Sequence, residues 1–194
     1  MEAQRSDLEN QVRDVVAHVL RGVLDGPPHP GDAPAPSQGA DAERIAIGAD
    51  HGGFELKQAL SAQLVDAGWA VDDCGTHSTA ACDYPEFAHA VARRVGTGKC
   101  SAGIVVDGAG IGSAIVANKI PRVRAAACYD ISTARNSREH NRANVLTLGA
   151  GLTGPSLAWQ IVQEWLATPW GGDRHLRRVA LISEVEDLYV RTDA

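Results

Sequence analysis

The chain predicts an α/β fold, a doubly wound five-stranded parallel sheet in an α/β/α sandwich. Two observations carry this. From Glu43 onward, short apolar runs alternate with segments at helical spacing, the order that builds a parallel sheet through helical crossovers. The run Gly103–Val106 then breaks into Asp107-Gly108-Ala109-Gly110-Ile111-Gly112 and resumes as a helix of small residues. Such a glycine turn belongs at the carboxyl end of a parallel strand, where backbone N–H groups can be aimed at an anion or oxyanion. Right-handed crossovers then place helices on both faces.

In order along the chain, Leu8, Val12, Val15, Val16, Val19, Leu20, Val23 and Leu24 fall on one helical stripe, with Glu9, Arg13, Asp14 and Arg21 opposite. Ser6 or Asp7 would cap this helix, and Asp25-Gly26-Pro27-Pro28 would end it. Residues 26–42 are rich in Pro, Gly, Ala and Asp without periodicity, the composition of a flexible linker. The expected organisation is an amphipathic helix over 1–25, a linker over 26–42 and a globular domain over 43–194. A helix this short needs a surface for its stripe: its own body, a membrane, or a groove on a partner protein.

In the body, Arg44–Ala49 reads as the first strand and Phe54–Ala67 as a helix with Leu56, Ala59, Leu60 and Leu64 inward. Trp69–Asp73 is the second strand and Phe87–Val95 a helix. Ala102–Val106 is the third strand, leading through the glycine loop into a helix that ends at Ala117. Val123–Cys128 is the fourth strand and Ser132–His140 a helix. Val145–Gly149 is the fifth strand, followed by helices over Pro155–Ala167 and Arg174–Val190.

The 194 residues carry a net charge of -6, which argues against general nucleic-acid binding. No apolar run is long enough to span a bilayer, and the charged N-terminus is not a secretory signal. Cys74, Cys82, Cys100 and Cys128 form no CxxC pair, so reduced thiols are expected rather than a metal site or disulfide. The expectation is a cytoplasmic protein with no membrane and no nucleic-acid partner.

Polar residues gather after the strands. Asp50-His51-Gly52-Gly53 follows the first, Asp83-Tyr84-Pro85 the second, and Asp107 with its glycines the third. Arg138-Glu139-His140-Asn141 ends the helix after the fourth strand, and Arg174 and Arg178 share a face of the last helix. Each has a plain structural alternative: Asp50 as a cap, His140 as a helix C-terminal residue, the arginines as a solvated face. Their joint occurrence points instead to one site at the carboxyl end of the sheet.

The segments IAIGADHGGFELK, DCGTHS, CDYPEFA, GAGIGSAIVANKI, SREHNRANVLTLGA and GGDRHLRRV resemble, in order, the type B ribose-5-phosphate isomerase family and related sugar-phosphate isomerases. The resemblance runs from about Arg44 to the mid-180s. It implies a Rossmann-like fold, aldose–ketose isomerisation without metal or cofactor, and a dimer or dimer of dimers whose sites use residues of both chains. By the same resemblance His140 opens the sugar ring, with Asn141 beside it. Asp50 and His51 contact sugar hydroxyls or the phosphate, and Tyr84 lines the sugar pocket. Gly108, Gly110, Gly112 and Ser113 supply loop amides around the enediolate, and Arg174 and Arg178 bind phosphate, reaching across the dimer. The chemistry suits these residue types: a base must move a proton between adjacent carbons, and donors must meet the developing oxyanion. The terminal helix and its linker are similar in type to the encapsulation peptides that carry enzymes into bacterial microcompartments.

Four positions depart from that family. Asp107 stands where many members have a cysteine base, and Ser113 where others have a glutamate. Ala109 replaces a usual Thr or Ser, and Gly151 a usual arginine, with Arg122 and Arg124 nearby in sequence. Asp107 is therefore the candidate base; its alternatives are a ligand for a substrate hydroxyl or a residue that has lost catalysis. The leading expectation is an encapsulated isomerase of ribose 5-phosphate and ribulose 5-phosphate. Two rivals stand beside it: an isomerase of another aldose phosphate or a free sugar, and a catalytically silent sugar-phosphate binder.

Overall fold

The computed structural model describes residues 44–190. Its elements are β1 (Arg44–Ala49), α1 (Phe54–Asp66), β2 (Ala70–Asp73), α2 (Tyr84–Gly96), β3 (Ala102–Asp107), α3 (Ile111–Ala117), β4 (Ala125–Ala127), α4 (Ile131–Asn141), β5 (Val145–Gly149), α5 (Pro155–Ala167) and α6 (Asp173–Tyr189). The expected N-terminal helix and linker, 1–25 and 26–42, lie outside the described residues.

All strand pairs are parallel, in the order β2-β1-β3-β5-β4. Alternate residues of each strand point to opposite faces. On one face Ile45, Ile47, Ile104, Val106, Leu146 and Leu148 pack with Leu56, Leu60 and Leu64 of α1 and Ile161 and Trp165 of α5. On the other, Ala46, Val105 and Val145 pack with Ala88, Val91, Ala92 and Val95 of α2 and Ala117 of α3. Small residues allow the close approach on this second face. A Cβ on Gly103 would stand 2.6 Å from a Val91 methyl. The expected doubly wound α/β/α sandwich is thus found.

Two boundaries differ from expectation. β4 is three alanines rather than Val123–Cys128. The Val123 amide closes a turn onto the Ile120 carbonyl at 3.2 Å, and the Arg124 amide donates to Asn144 Oδ1 at 2.7 Å. α2 begins at Tyr84, three residues early, because Asp83 is extended (φ -94°, ψ 119°) and Pro85 fits the first helical turn.

Strand order reverses between β1 and β3, so the crevice outside their carboxyl ends is the natural ligand position. The turn after β1 closes directly on β3: a Cβ on Gly53 would stand 2.3 Å from the Val106 carbonyl oxygen. The end of α4 lies elsewhere. That helix returns antiparallel to the strands and delivers His140 and Asn141 to the amino edge, where Arg124 Nε, one residue ahead of β4, donates to the Asn141 carbonyl at 3.1 Å. The expectation that all five polar sets share the carboxyl end is therefore corrected. A helix that leaves a strand's carboxyl end must finish near the amino end of the next strand.

Candidate active site

At the head of the crevice, Asp107 ends β3 with only 5 % of its surface exposed. Oδ1 accepts the Ala109 amide at 2.7 Å and the Gly110 amide; Oδ2 accepts the Ser113 amide at 3.1 Å and the Ser113 hydroxyl. Four donors occupy all the lone-pair directions of one carboxylate. Gly110 makes this wrap possible with a left-handed φ of 79°.

The loop is then tied to β5. The carbonyls of Asp107, Gly108 and Gly110 accept from the Ala150 amide (2.8 Å), the Gly151 amide (3.0 Å) and Thr147 Oγ1 (2.6 Å). The Ala114 amide makes the first bond of α3, to the Gly110 carbonyl. The Ile111 and Gly112 amides precede it and point out of the helix N-terminus. Tyr84 packs beside them: its ring lies on Gly112, where a Cβ would stand 2.7 Å from the phenol oxygen.

Asp50 and His51 join this half. The Asp50 carboxylate, 9 % exposed, accepts the Gly53 amide at 2.9 Å and shapes the turn after β1. His51 is exposed. Its Nδ1 lies 3.1 Å from the Cys82 carbonyl oxygen and 3.2 Å from the Cys82 amide nitrogen. That tether leaves Nε2 as the nitrogen available to a ligand. The structure therefore gathers Asp50, His51, Tyr84, Asp107, Gly108, Gly110, Gly112 and Ser113 around one crevice, but the Gly110 and Ser113 amides, expected around an enediolate, are turned onto the Asp107 carboxylate instead.

The second group sits at the amino edge. His140 Nδ1 lies 2.9 Å from the Asn136 side-chain amide, and Arg174 Nη2 lies 3.4 Å from His140 Nε2. Glu139 Oε1 is 3.8 Å from His140 Nε2 and 3.9 Å from Arg174 Nη2. Asn141 ends α4 beside His140, and Arg178 is exposed one turn along α6. Sequence reasoning passed over His175. Only 3 % exposed, it stacks on His140 with ring centroids 4.2 Å apart and accepts from Arg174 Nε at 2.7 Å. Its signal was the spacing of four to Val179, which is also buried on α6. Burial pushes the His175 imidazole below its ordinary range, helped by His140 and the charges of Arg174 and Arg178.

Gly151 sits against the loop, where a Cβ would stand 3.0 Å from the Gly108 carbonyl oxygen. Arg122 and Arg124 cannot stand in for an arginine there within the same chain, because both precede β4, at the amino end of the strands, whereas Gly151 follows the carboxyl end of β5. Burial and the neighbouring Arg142 hold the Arg124 guanidinium below its usual range. Among the described residues, no group of three or more His, Cys, Asp or Glu is placed to hold a metal ion. No helix among them is long and apolar enough to cross a membrane.

Residues 45–182 match the Ribose/Galactose Isomerase family. Ribose-5-phosphate isomerase B of Escherichia coli K12 is 42 % identical over 144 residues, covering 74 % of this chain and 97 % of that protein. The structure of ribose-5-phosphate isomerase B from Clostridium thermocellum superposes with a TM-score of 0.74 at 46 % identity, over 75 % of this chain and 99 % of that one. The corresponding Mycoplasma genitalium structure, with bound ribulose 5-phosphate, gives a TM-score of 0.72 at 36 % identity over 74 % and 96 %. On the strength of a glycine loop set in the sheet crevice and of likeness along nearly the whole of these relatives, the chain belongs to the Ribose/Galactose Isomerase family.

Proposed function

We propose that the chain interconverts ribose 5-phosphate and ribulose 5-phosphate through a cis-enediolate. The observation that carries this is the buried Asp107 carboxylate at the head of the glycine loop, beside Tyr84 and the Asp50–His51 turn. His140 acts as acid and base in opening the furanose. Asp107 then takes the C2 proton, leaving the electron pair in the enediolate, and returns that proton to C1 while the proton of the C2 hydroxyl passes to the C1 oxygen, so that C2 becomes the ketone. The Ile111 and Gly112 amides at the start of α3 meet the enediolate oxygen. Arg174 and Arg178 clamp the phosphate. Because four donors fill the carboxylate, one must let go as the proton arrives, and the Ser113 hydroxyl is the one that can rotate.

The site is built from two copies of the chain. His140 and the Asp107 loop lie at opposite ends of β5, a strand of five residues that spans about 13 Å at roughly 3.3 Å per step. One copy supplies the loop and its partner supplies His140, Asn141, Arg174 and Arg178. Exposed apolar side chains flank both halves: Ile111, Ile115 and Leu152 near the loop, Leu181, Ile182 and Val185 on α6. Such apolar surface is what a homodimer interface consumes. The stripe from Leu8 to Leu24 seats in a groove of a microcompartment shell protein, with 26–42 as its tether. Deleting 1–42 should leave kinetics unchanged and abolish co-purification with shells; unchanged co-purification overturns this assignment.

A second reading, isomerisation of another aldose phosphate or a free sugar, is favoured by Ala109 and Gly151, which remove a hydroxyl and a guanidinium from the site. Proton exchange in heavy water across pentose and hexose phosphates and free sugars tests both. Fastest C2 exchange with ribose 5-phosphate supports the first reading, and a faster rival sugar selects the second. Tight binding without exchange makes the protein a silent binder.

A further inference from the structure

Arg174 is an exposed side chain, 71 % accessible, yet its Nε is fixed by a residue that is almost wholly buried. His175 Nε2 accepts that Nε–H at 2.7 Å, and only a neutral imidazole can accept there. The same ring lies parallel to His140, within 18°. The far nitrogen of the guanidinium, Nη2, reaches His140 Nε2 at 3.4 Å. One arginine edge thus spans two stacked imidazoles, one beneath it and one beside it. The His175 backbone amide donates to the Gly172 carbonyl at 2.9 Å, so its ring is placed by the first turn of α6. Gly171 closes the far side: a Cβ there would stand 3.4 Å from His175 Cδ2.

We propose that His175 is the positioning residue of the phosphate half of the site. Its neutral imidazole holds Arg174 by Nε and supports the His140 ring from behind, setting clamp and ring-opening group as one unit. The inference rests on the proposed isomerase reading for the roles of Arg174 and His140. Long flexible arginines lose rotamer freedom on binding, and an arginine already fixed through Nε presents both Nη groups to a phosphate at lower entropic cost. The charged and titratable groups facing His175 are His140 and Glu139 from α4, and Arg174 and Arg178 from its own helix. Three of these four are basic. Protonation of His175 is therefore resisted, and when it occurs it breaks the bond to Arg174.

The test compares His175→Phe with His175→Gln in the full-length protein. Phenylalanine keeps a flat ring behind His140 but offers no acceptor; glutamine keeps an acceptor. We expect His175→Phe to raise KM for ribose 5-phosphate about tenfold and to weaken inorganic phosphate, measured directly by calorimetry, by a similar factor. His175→Gln should stay within about threefold of wild type for both. In wild type, phosphate affinity should fall on the acid side more steeply than in either variant. Wild-type phosphate affinity in both variants overturns the proposal. So does equal loss in both, which marks a merely structural residue. Because phosphate binding is read without turnover, an inactive wild type removes the isomerase reading and leaves this test standing.

Discussion

Asp107 and Ser113 hold each other across the glycine loop, the serine donating both its amide, at 3.1 Å, and its hydroxyl to the same carboxylate oxygen. Replacing Asp107 by Asn turns one acceptor into an NH2 that must face N–H donors. Leaving such buried groups unpaired costs about 1–3 kcal/mol. Asp107→Asn should therefore melt earlier and lose C2 proton exchange, while ribose 5-phosphate still binds. Ser113→Ala keeps the three amides and should cost about 1.5–3 kcal/mol, the range for one hydrogen bond to a charged group, with exchange retained. Exchange at the wild-type rate in Asp107→Asn excludes this carboxylate as the base.

Lys57 is fully buried, yet its ammonium lies 2.7 Å from both carboxylate oxygens of Asp73 and 2.9 Å from the Thr76 carbonyl. The partners are unequally buried, since the Asp73 side chain keeps 32 % of its exposure. Removing the carboxylate strands a charge with no water; removing the lysine leaves a carboxylate that water can reach. Asp73→Ala should thus cost about 3–5 kcal/mol, the range for an uncompensated buried charge, and Lys57→Met clearly less. Denaturant unfolding of the two variants checks the order. A reversed order contradicts the burial asymmetry.

Much of this architecture could be read from the sequence because the period of the apolar residues is local information. The buried runs of β1, β3 and β5 and the inward leucines of α1 needed no tertiary knowledge. β4 is the exception: its residues owe their pairing to Asn118 and Asn144 side chains that bond the Ala125 and Arg124 backbones. In the site, Asp107 and its glycines were legible as a loop, but not the four bonds that fill the carboxylate. His140 was assigned to the wrong end of the sheet because linear order hides the return direction of α4. Lys57 looks in sequence like any helical lysine, and only the register of β2 beside β1 brings Asp73 to it. His175 was overshadowed by its arginine neighbours.

The depressed His175 imidazole has a consequence for stability. Its proton affinity is lower folded than unfolded, so below its ordinary value of 6.5 the unfolded chain binds more protons. Its contribution is present above pH 6.5 and is lost as pH falls beneath it. Wild type should therefore lose melting temperature between about pH 7 and 5 more steeply than His175→Gln, which has no group to titrate there. Parallel curves for the two proteins would remove this residue from the acid response.

The proposed two-copy site makes a quantitative prediction of its own. Asp107→Asn damages the loop half and His140→Gln the ring-opening half, so each homodimer carries two broken sites. In a heterodimer of the two, one site collects both lesions and the other collects neither. Random exchange of equal amounts yields about half heterodimers, each with one intact site of two, so about a quarter of wild-type turnover should return. The assay is ribose 5-phosphate isomerisation before and after the variants are denatured and refolded together. Recovery near a quarter requires His140 and Asp107 to meet across the interface. No recovery, with mixed dimers confirmed by mass, would confine each site to a single chain and leave the two ends of β5 in separate sites.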